Sequence, residues 1–283
     1  MEKSAETFDT VIRAKNDWFS FDLREVWRYK DLVRMFVKKN FIIQYKQTIL
    51  GPIWLILNPL LTTVVFTLVF GNFAGLSTEG VPAFLFYMAG NAIWSLFSTG
   101  VTGTANTFVL NSQLFGKVYF PRLTYPISQV ITSLINFGIQ FAMLAVFYAY
   151  YLIFGGGVRL TWYALLIPVL LLQCMCLALG VGIIISSLTI KYRDLAIAIG
   201  FGIQLWMYAT PVVYPLSAVT GTARGLLLAN PMTAIVNNFR FALLGTGELL
   251  RGNWAVSAAV TAALLVWGVA LFSKEEKTFM DTV

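Results

Sequence analysis

Long runs without a charged residue recur along this 283-residue chain, and most positions within them are apolar. A helix needs roughly 20 such residues to cross a hydrocarbon core about 30 Å thick, so each run predicts one transmembrane helix. The six runs are 49–73, 82–108, 123–154, 160–190, 195–213 and 254–272. The pattern therefore predicts an all-α membrane protein with six transmembrane helices.

The segment 231–244 is a seventh apolar stretch, but it lacks the pattern of a crossing. Asn237, Asn238 and Arg240 interrupt it, and the uncharged part that remains is too short to span a bilayer. We expect this segment to form a re-entrant or interfacial helix on the external side, between the fifth and sixth crossings.

Residues 31–47, before the first crossing, have the pattern of an amphipathic helix. Apolar side chains repeat at helical spacing along one face, and basic side chains point away from it. The apolar positions are Leu32, Val33, Phe36, Val37 and Phe41, and the basic ones are Arg34, Lys38 and Lys39. This pattern is typical of a helix that lies on an anionic cytoplasmic leaflet. A soluble helical cap packed on the membrane domain is the alternative.

Lysine and arginine are unevenly divided between the two sides that six crossings define. Sixteen of the 20 fall on the side that holds both termini, and the positive-inside rule places that side in the cytoplasm. The first 49 residues carry ten basic and seven acidic side chains and show no signal-peptide pattern. We expect a cytoplasmic segment with the amphipathic helix (1–48), a six-helix transmembrane domain (49–273) and a cytoplasmic tail (274–283).

Composition argues against several chemistries. Hydrophobic residues make up 58% of the chain and charged residues 12%, histidine is absent, and Cys174 and Cys176 lie in an apolar run. Two cysteines without histidine do not complete a zinc site, so no metal or cofactor is expected in this chain. The crossings hold no charged group at mid-depth, which argues against ion coupling. The GxxxxGK[ST] motif is also missing, so active transport requires an ATPase on another chain.

Polar residues recur at helical spacing within two predicted crossings. In the second they are Tyr87, Asn91, Ser95, Ser98, Thr102 and Asn106, and in the third Gln129, Ser133, Asn136 and Gln140. Such a stripe lines a channel or makes contacts between helices. Aromatic residues near the crossings either stack on sugars or anchor helix ends at the membrane surface. The candidates for channel lining are Trp54, Asn58, Tyr87, Asn91, Ser95, Ser98, Thr102, Trp206 and Tyr208.

Several motifs in order along the chain resemble the type-2 ABC transporter permeases that export O-antigen, capsule and teichoic-acid polymers. The first half carries YKQT at 45–48, LGPIW at 50–54, NPL at 58–60 and KVYFPR at 117–122. The second half carries YRD at 192–194, TPVVYP at 210–215, NPM at 230–232 and FR at 239–240, and the tail around 272–281 is also similar. The sequence departs from the family pattern at Lys39-Asn40, where many members have Arg-Asp, and at Thr210, where many have Ser.

The resemblance implies a bacterial inner-membrane exporter in which two copies of the chain form a channel for a lipid-linked polysaccharide. Two copies of a cytoplasmic ABC ATPase would bind ATP and magnesium. A helix at 111–122 would dock on that ATPase, and 214–247 would fold back as paired external gate helices. The implied ATPase contacts are Gln113, Leu114, Lys117, Phe120, Pro121 and Arg122. The implied gate residues are Tyr214, Pro215, Arg224, Asn230, Pro231 and Arg240.

Other functions remain open from the sequence. A type-2 permease for a drug or a lipid would have the same architecture, and the 111–122 segment would be a plain connector in a protein without an ATPase. A membrane-embedded glycosyltransferase needs acids and bases at its reaction site, and the predicted external face offers only Glu79, Glu248 and four arginines. Membrane lipids are expected partners, and nucleic acid is not.

Overall fold

The structure is a computed structural model that describes residues 23–46, 48–115, 117–118, 120–155, 157–158, 161–192 and 194–282. Gln47, Tyr119 and Arg193, which belong to the motifs named above, lie outside the described residues, as does the segment 1–22. Within the described part, the regular elements are all helical. The α-helices are α1 (Leu23–Arg28), α2 (Lys30–Tyr45), α3 (Trp54–Phe66), α4 (Ala83–Ala105), α5 (Thr107–Phe115), α6 (Thr124–Ile153), α7 (Ile167–Thr189), α8 (Leu195–Tyr208), α9 (Gly221–Ala229), α10 (Pro231–Leu244) and α11 (Arg251–Thr282).

Four helical segments among the described residues are long and apolar enough to cross a membrane. They are Gly51–Phe73, which contains α3, then Thr124–Ile153, Trp162–Thr189 and Arg251–Glu275. The predicted second crossing is α4, which has 23 residues but carries the polar stripe that lowers its hydropathy. The predicted fifth crossing contains α8, whose 14 residues extend only about 21 Å at 1.5 Å per residue. An all-helical membrane protein is confirmed, and the count of six crossings stays a prediction.

Helix α4 forms the centre of the bundle. Fifteen of its 23 residues are buried, and it packs against α6 and α7 along most of its length. Helices α7 and α11 approach each other closely on the far side of α7. A methyl group on Gly180 would lie 2.9 Å from the backbone nitrogen of Leu265, so only glycine fits at this contact. Small residues at such contacts are a common way for membrane helices to pack.

Helix α10 is the segment that the sequence predicts to be too short for a crossing. Its 14 residues form a regular helix, and 12 of them are buried inside the bundle. Asn230 caps its first turn by accepting a hydrogen bond from the backbone nitrogen of Met232 at 3.0 Å. Gly245 ends it in the left-handed conformation with φ of 72°. The helix therefore packs on protein, and its re-entrant placement in the membrane remains a prediction.

An aromatic cluster holds one end of the bundle together. It consists of Phe36, Phe108, Phe115, Phe120, Leu123, Tyr125, Ile183 and Phe272. The Phe36 ring of α2 lies 5.7 Å from the ring of Phe120 and 5.5 Å from that of Tyr125, and Phe108 lies 4.8 Å from Phe272 of α11. Ring pairs at these distances stabilise packing beyond the apolar area they bury.

Helix α2 has the two faces that the sequence predicts. Phe36 is 1% exposed in the aromatic cluster, and Leu32 and Val37 are half-buried, whereas Arg34, Lys38 and Lys39 are exposed. The helix packs on α6. Contact of α2 with a membrane surface is untested and stays a prediction.

Candidate functional site

One face of α4 is polar and open. It consists of Asn91, Ser95, Ser98, Thr99, Thr102, Gly103 and Asn106, none of which is buried. Ser98, Thr99, Thr102 and Gly103 line a shallow groove of about 260 Å³. We call this surface the α4 face. Polar groups at hydrocarbon depth must meet protein or water, because an unsatisfied one costs several kcal/mol. The α4 face therefore marks the candidate site.

Three hydroxyl groups of the α4 face bond to the backbone of their own helix. Thr99 donates to the carbonyl oxygen of Ser95 at 2.6 Å, and Thr102 donates to that of Ser98 at 2.8 Å. The Ser98 hydroxyl donates to the Ser95 carbonyl at 3.3 Å. The amide nitrogen of Asn106 donates to the Thr102 carbonyl at 2.9 Å. Each of these four side chains thus has a hydrogen-bond partner in its own helix.

The stripe predicted in the third crossing lies inside the subunit. Ser133, Asn136 and Gln140 of α6 are each less than 9% exposed. Gln140 donates to the Ser95 hydroxyl oxygen at 3.1 Å, and Asn136 donates to the side-chain oxygen of Gln44 at 3.3 Å. This stripe makes contacts between helices, as the packing interpretation predicts, and it joins α6 to α4 and to α2.

Tyr87 follows the spacing of the α4 stripe but is not part of the open face. It is completely buried, and its ring lies 6.4 Å from each of Phe66 and Phe70. The helical segment that contains α3 covers this end of the stripe. As a residue lining an open surface of the described chain, Tyr87 is corrected to a core residue.

The other predicted channel residues have different surroundings. Trp54 is 37% exposed and Tyr208 50% exposed, and Asn58 is exposed as well. Trp206 instead packs its ring 5.0 Å from Phe97 of α4. Trp54, Asn58 and Tyr208 therefore remain candidates for contact with a ligand or a second chain, whereas Trp206 supports the loop after α8.

Asn230 fixes the loop that follows α8. Its side-chain oxygen accepts from the Trp206 indole nitrogen at 3.1 Å. Its side-chain nitrogen donates to the carbonyl oxygen of Ala209 and to the hydroxyl oxygen of Thr210, both at 2.9 Å. When the cap on α10 is included, both polar atoms of the Asn230 side chain have hydrogen-bond partners.

Arg240 of α10 holds the next residues of the same loop. Its guanidinium donates to the Pro211 carbonyl oxygen at 2.6 Å and also to the Val212 carbonyl oxygen. The group is 5% exposed and its central carbon lies 3.8 Å from the centre of the Phe86 ring of α4. We call Trp206, Thr210, Asn230 and Arg240, with the carbonyls they bind, the loop cluster. It joins the TPVVYP, NPM and FR motifs into one structure.

The remaining predicted gate residues lie around the loop cluster. The Tyr214 hydroxyl donates to the Tyr208 carbonyl oxygen at 3.0 Å, and Pro215 precedes a short helical turn. Pro231 occupies the first turn of α10, where it needs no hydrogen-bond donor. Arg224 of α9 forms an ion pair with Glu248. The structure places all six predicted gate residues in one region.

Comparison with known proteins assigns the family. The model of the ABC-2 type transporter family matches residues 31–244, which run from α2 to the end of α10. The chain belongs to the ABC-2 type transporter family. It is 30% identical over 265 residues to the O-antigen export system permease protein RfbA of Myxococcus xanthus, covering 92% of this chain and 98% of that protein. Two O-antigen export system permease proteins RfbA of Klebsiella pneumoniae are 26% identical over 251 residues, covering 89% of this chain and 94% of each relative.

The segment of this ABC-2 chain predicted to dock on an ATPase differs from the prediction in shape. Helix α5 spans Thr107–Phe115, with non-helical angles at Asn111, and none of the described residues between it and α6, namely 117–118 and 120–123, is helical. A helix at 111–122 is therefore wrong. The helix ends before Lys117, and Pro121 cannot supply a backbone donor to continue it.

The predicted docking side chains divide into two groups. Phe120 is 5% exposed and Arg122 is 6% exposed, and the Arg122 guanidinium lies 5.6 Å from the Phe115 ring centre. Phe120 belongs to the aromatic cluster and Arg122 packs against it, so both side chains are buried in the subunit, and their contact with an ATPase stays a prediction. Lys117 is exposed, Leu114 and Pro121 are half-buried, and the side chain of Gln113 lies outside the described part.

The sequence did not predict three exposed residues near this loop, nor one ion pair. Val109 is 48% exposed, Leu110 69% and Val118 55%, so exposed apolar side chains occur in α5 and directly after Lys117 in the sequence. Lys191, next to the YRD motif, forms an ion pair of 2.8 Å with Glu275 of α11. The hydrogen bond that Lys191 donates to this carboxylate raises the pKa of Lys191. Opposite charges far apart in sequence gave no local signal for the pair.

Proposed function

We propose that this chain is the membrane-spanning permease of an ATP-driven exporter that moves a lipid-linked, O-antigen-type polysaccharide across the bacterial inner membrane. The observation that carries the proposal is the 30% identity to an O-antigen export system permease over 98% of that relative. The α4 face supports it, because an uncharged surface of hydroxyl and amide groups suits a sugar polymer better than an apolar drug. ATP and magnesium would be bound by the partner ATPase.

A second copy of the chain is the expected partner of the α4 face. Only Leu55 and Thr63 are buried within α3, and only Ile199 and Ile203 within α8. Both helices contact α4 and leave much of their surface uncovered. A homodimer in which two α4 faces enclose an aqueous conduit would let water reach the remaining lone pairs and amide N–H groups of these side chains. Trp54, Asn58 and Tyr208 would then line it from neighbouring helices.

The ATPase docking surface is proposed at the exposed residues beside α5. Leu110, Lys117 and Val118 present apolar contact area next to a positive charge, and Leu114 and Pro121 lie beside them. The aromatic cluster stands behind this surface and connects it to α2 and α11. Movement of the ATPase would therefore reach the membrane helices through packed rings. Both termini would lie on this same, cytoplasmic, side.

The proposed function is tested in a bacterial host that makes a lipid-linked O-polysaccharide but lacks its own permease. The chain is expressed with a tagged ABC ATPase encoded beside it, and surface polysaccharide is measured with an antibody. Restored surface polymer that requires the ATPase is expected. Polymer that stays inside cells containing the assembled complex would contradict polysaccharide export and would favour a drug or lipid permease.

The docking surface is tested in the same cells with Val118→Asp and Lys117→Glu. Each change should greatly reduce co-purification of the ATPase, because a carboxylate replaces an apolar or positive contact. Leu226→Asp is the matched control, since Leu226 is 72% exposed on α9, in the region predicted to be external. Loss of the ATPase from the control, or retention in both test variants, would argue against this surface.

A further inference from the structure

A groove lies between α2 and α6 on the surface of the subunit. Its volume is about 360 Å³, and apolar side chains of both helices form most of its lining. The apolar residues are Val33, Val37, Phe41, Ile131 and Ile135, and the basic residues Arg34 and Lys38 complete the lining. We call this feature the α2–α6 groove.

The spacing of the apolar residues gives the groove its two walls. Val33, Val37 and Phe41 follow one another at intervals of four residues on α2, and Ile131 and Ile135 do the same on α6. Residues four apart are neighbours on the surface of a helix. Each helix therefore contributes one row of apolar side chains to the groove.

Arg34 and Lys38 form a basic row beside the apolar row of α2. Both side chains are exposed, and each follows an apolar lining residue by one position, or about 100° around the helix. Arg34 donates to Asp31 at 3.2 Å, but this pair is largely exposed, and such pairs contribute little. Its guanidinium has five N–H donors, so donors remain for another anion. Helix α2 carries four basic residues and one acidic residue, and α6 carries no charge.

The position of the groove along α6 suits a phospholipid. Helix α6 has 30 residues and is about 45 Å long, which exceeds a hydrocarbon core of about 30 Å. Ile131 and Ile135 come 7 and 11 residues after Thr124, the first residue of α6, or roughly 10 and 16 Å along its axis. In the predicted orientation α6 begins on the cytoplasmic side. The apolar walls would then face the acyl chains of the cytoplasmic leaflet, and long basic side chains extend to the headgroups.

An anionic phospholipid uses both parts of the lining. Its acyl chain fits the apolar walls, and its phosphate complements Arg34 and Lys38, which are one turn apart. A soluble anion would leave the walls unused, and a lipid without net charge would gain little from the basic row. The acyl chain itself gains little by leaving the bilayer, because lipid tails are as apolar as leucine. Selection among lipids must therefore come from the headgroup.

We infer that the α2–α6 groove binds one anionic phospholipid of the cytoplasmic leaflet, with its phosphate on Arg34 and Lys38 and an acyl chain between the two helices. The inference goes beyond the proposed function and does not depend on it, because no polysaccharide takes part. It also differs from a general attraction of α2 to the membrane, because it assigns one lipid to each chain. None of the lining residues belongs to α4, so the lipid would stay outside the proposed conduit. It would hold α2 against α6 and thereby fix Phe36 in the aromatic cluster.

The site is tested by counting lipids bound to the full-length chain in complex with its ATPase. The delipidated complex is titrated in detergent with phosphatidylglycerol or phosphatidylethanolamine of the same acyl chains, and native mass spectrometry counts the bound molecules. A basic residue near a membrane surface contributes about 1 kcal/mol, or about fivefold in affinity. We therefore expect one phosphatidylglycerol per permease chain, bound on the order of tenfold more tightly than phosphatidylethanolamine.

Three results of this titration would overturn the inference. Equal affinity for the two lipids would remove the role of the basic row. Binding of neither lipid would mean that another part of the complex covers the groove. Complete displacement of phosphatidylglycerol by a long-chain lipid pyrophosphate at equal concentration would assign the groove to a lipid-linked substrate.

The basic row is tested with the double variant Arg34→Gln and Lys38→Gln. Its affinity for phosphatidylglycerol should fall on the order of tenfold, to the level of phosphatidylethanolamine. Lys39→Gln is the matched control, because Lys39 is exposed on α2 but does not line the groove. A loss in the control as large as in the double variant would assign the effect to general surface charge and overturn the site.

The apolar walls are tested with Ile135→Trp, which fills the groove and leaves every charge in place. Ile135 is 40% exposed, so the larger ring would occupy the space of the acyl chain, and we expect loss of the bound phosphatidylglycerol. Val146→Trp is the control, because Val146 is 68% exposed on the same helix outside the groove. Retention of the lipid by both variants would overturn the inference. This pair also decides the question if the double variant of the basic row does not assemble.

Discussion

The loop cluster and the α4 face are both polar, yet they use their polar groups in opposite ways. In the loop cluster, side chains bind partners 20 to 29 residues away in sequence, such as Asn230 with Thr210 and Arg240 with Pro211. On the α4 face, Ser98 and Thr102 donate to carbonyl oxygens three or four residues away in the same helix. In the first arrangement the polar groups are paired with one another inside the protein and stabilise the fold. The second leaves acceptor capacity on exposed side chains, so of these two regions the α4 face is the one that remains available to a ligand.

The largest expected effect follows removal of Arg240. In Arg240→Met the carbonyls of Pro211 and Val212 lose their buried donor, and each unsatisfied acceptor costs 1–3 kcal/mol, so we expect a loss on the order of 3 kcal/mol. Thermal unfolding of the purified protein measures the change. Arg224→Met is the control, because Arg224 is partly exposed in its pair with Glu248, and such pairs contribute about 1 kcal/mol or less. Equal stability of the two variants would show that the buried Arg240 stabilises the fold no more than the partly exposed Arg224.

A smaller effect is expected from a methyl group at Gly90. The added carbon would overlap the Arg240 guanidinium and lie 2.9 Å from the Val212 carbonyl oxygen. We expect Gly90→Ala to lower the free energy of unfolding by about 1–3 kcal/mol through overpacking. Gly138→Ala in α6 is the matched change, because open space surrounds that position and alanine favours a helix by up to about 1 kcal/mol. A neutral Gly90→Ala would show that the contact to Arg240 is loose.

The smallest effect on stability is expected on the α4 face. Thr102→Val removes a hydroxyl that bonds only to its own helix, so the free energy of unfolding should change by about 0.5 kcal/mol or less. The measurement is the same thermal unfolding series. A loss comparable to that of Arg240→Met would mean that Thr102 holds the fold together and is not free for a ligand.

Much of the architecture follows from the sequence. Charged and polar residues at 237–240 predict that α10 does not cross the membrane, and the structure gives each of them a partner inside the protein. Asn237 donates to the Glu248 carbonyl oxygen at 2.7 Å, and Asn238 accepts from the Leu250 backbone nitrogen at 2.9 Å. The two faces of α2 follow equally well, because helical spacing assigns directions to side chains within one helix.

The predictions that the structure corrects concern side chains that a distant segment of the chain covers. Tyr87 shares the spacing of the α4 stripe, but Phe66 and Phe70 from an earlier segment pack over it. Phe120 lies in a segment predicted to be a docking helix, but Phe36 of α2 packs against it. Spacing gives the direction of a side chain and contains no information about a distant segment. For the same reason the loop cluster was visible only as three separate motifs.

We expect the α4 face to meet water in the assembled exporter. Single cysteines introduced with Thr99→Cys, Thr102→Cys and Val101→Cys, after Cys174 and Cys176 are replaced by alanine, report on this exposure. A cationic, membrane-impermeant thiol reagent is then applied to the complex with its ATPase. We predict modification at positions 99 and 102 and none at 101, because Val101 is completely buried on the same helix. Protection of 99 and 102 to the same degree as 101 would contradict the claim and would assign the α4 face to helix packing.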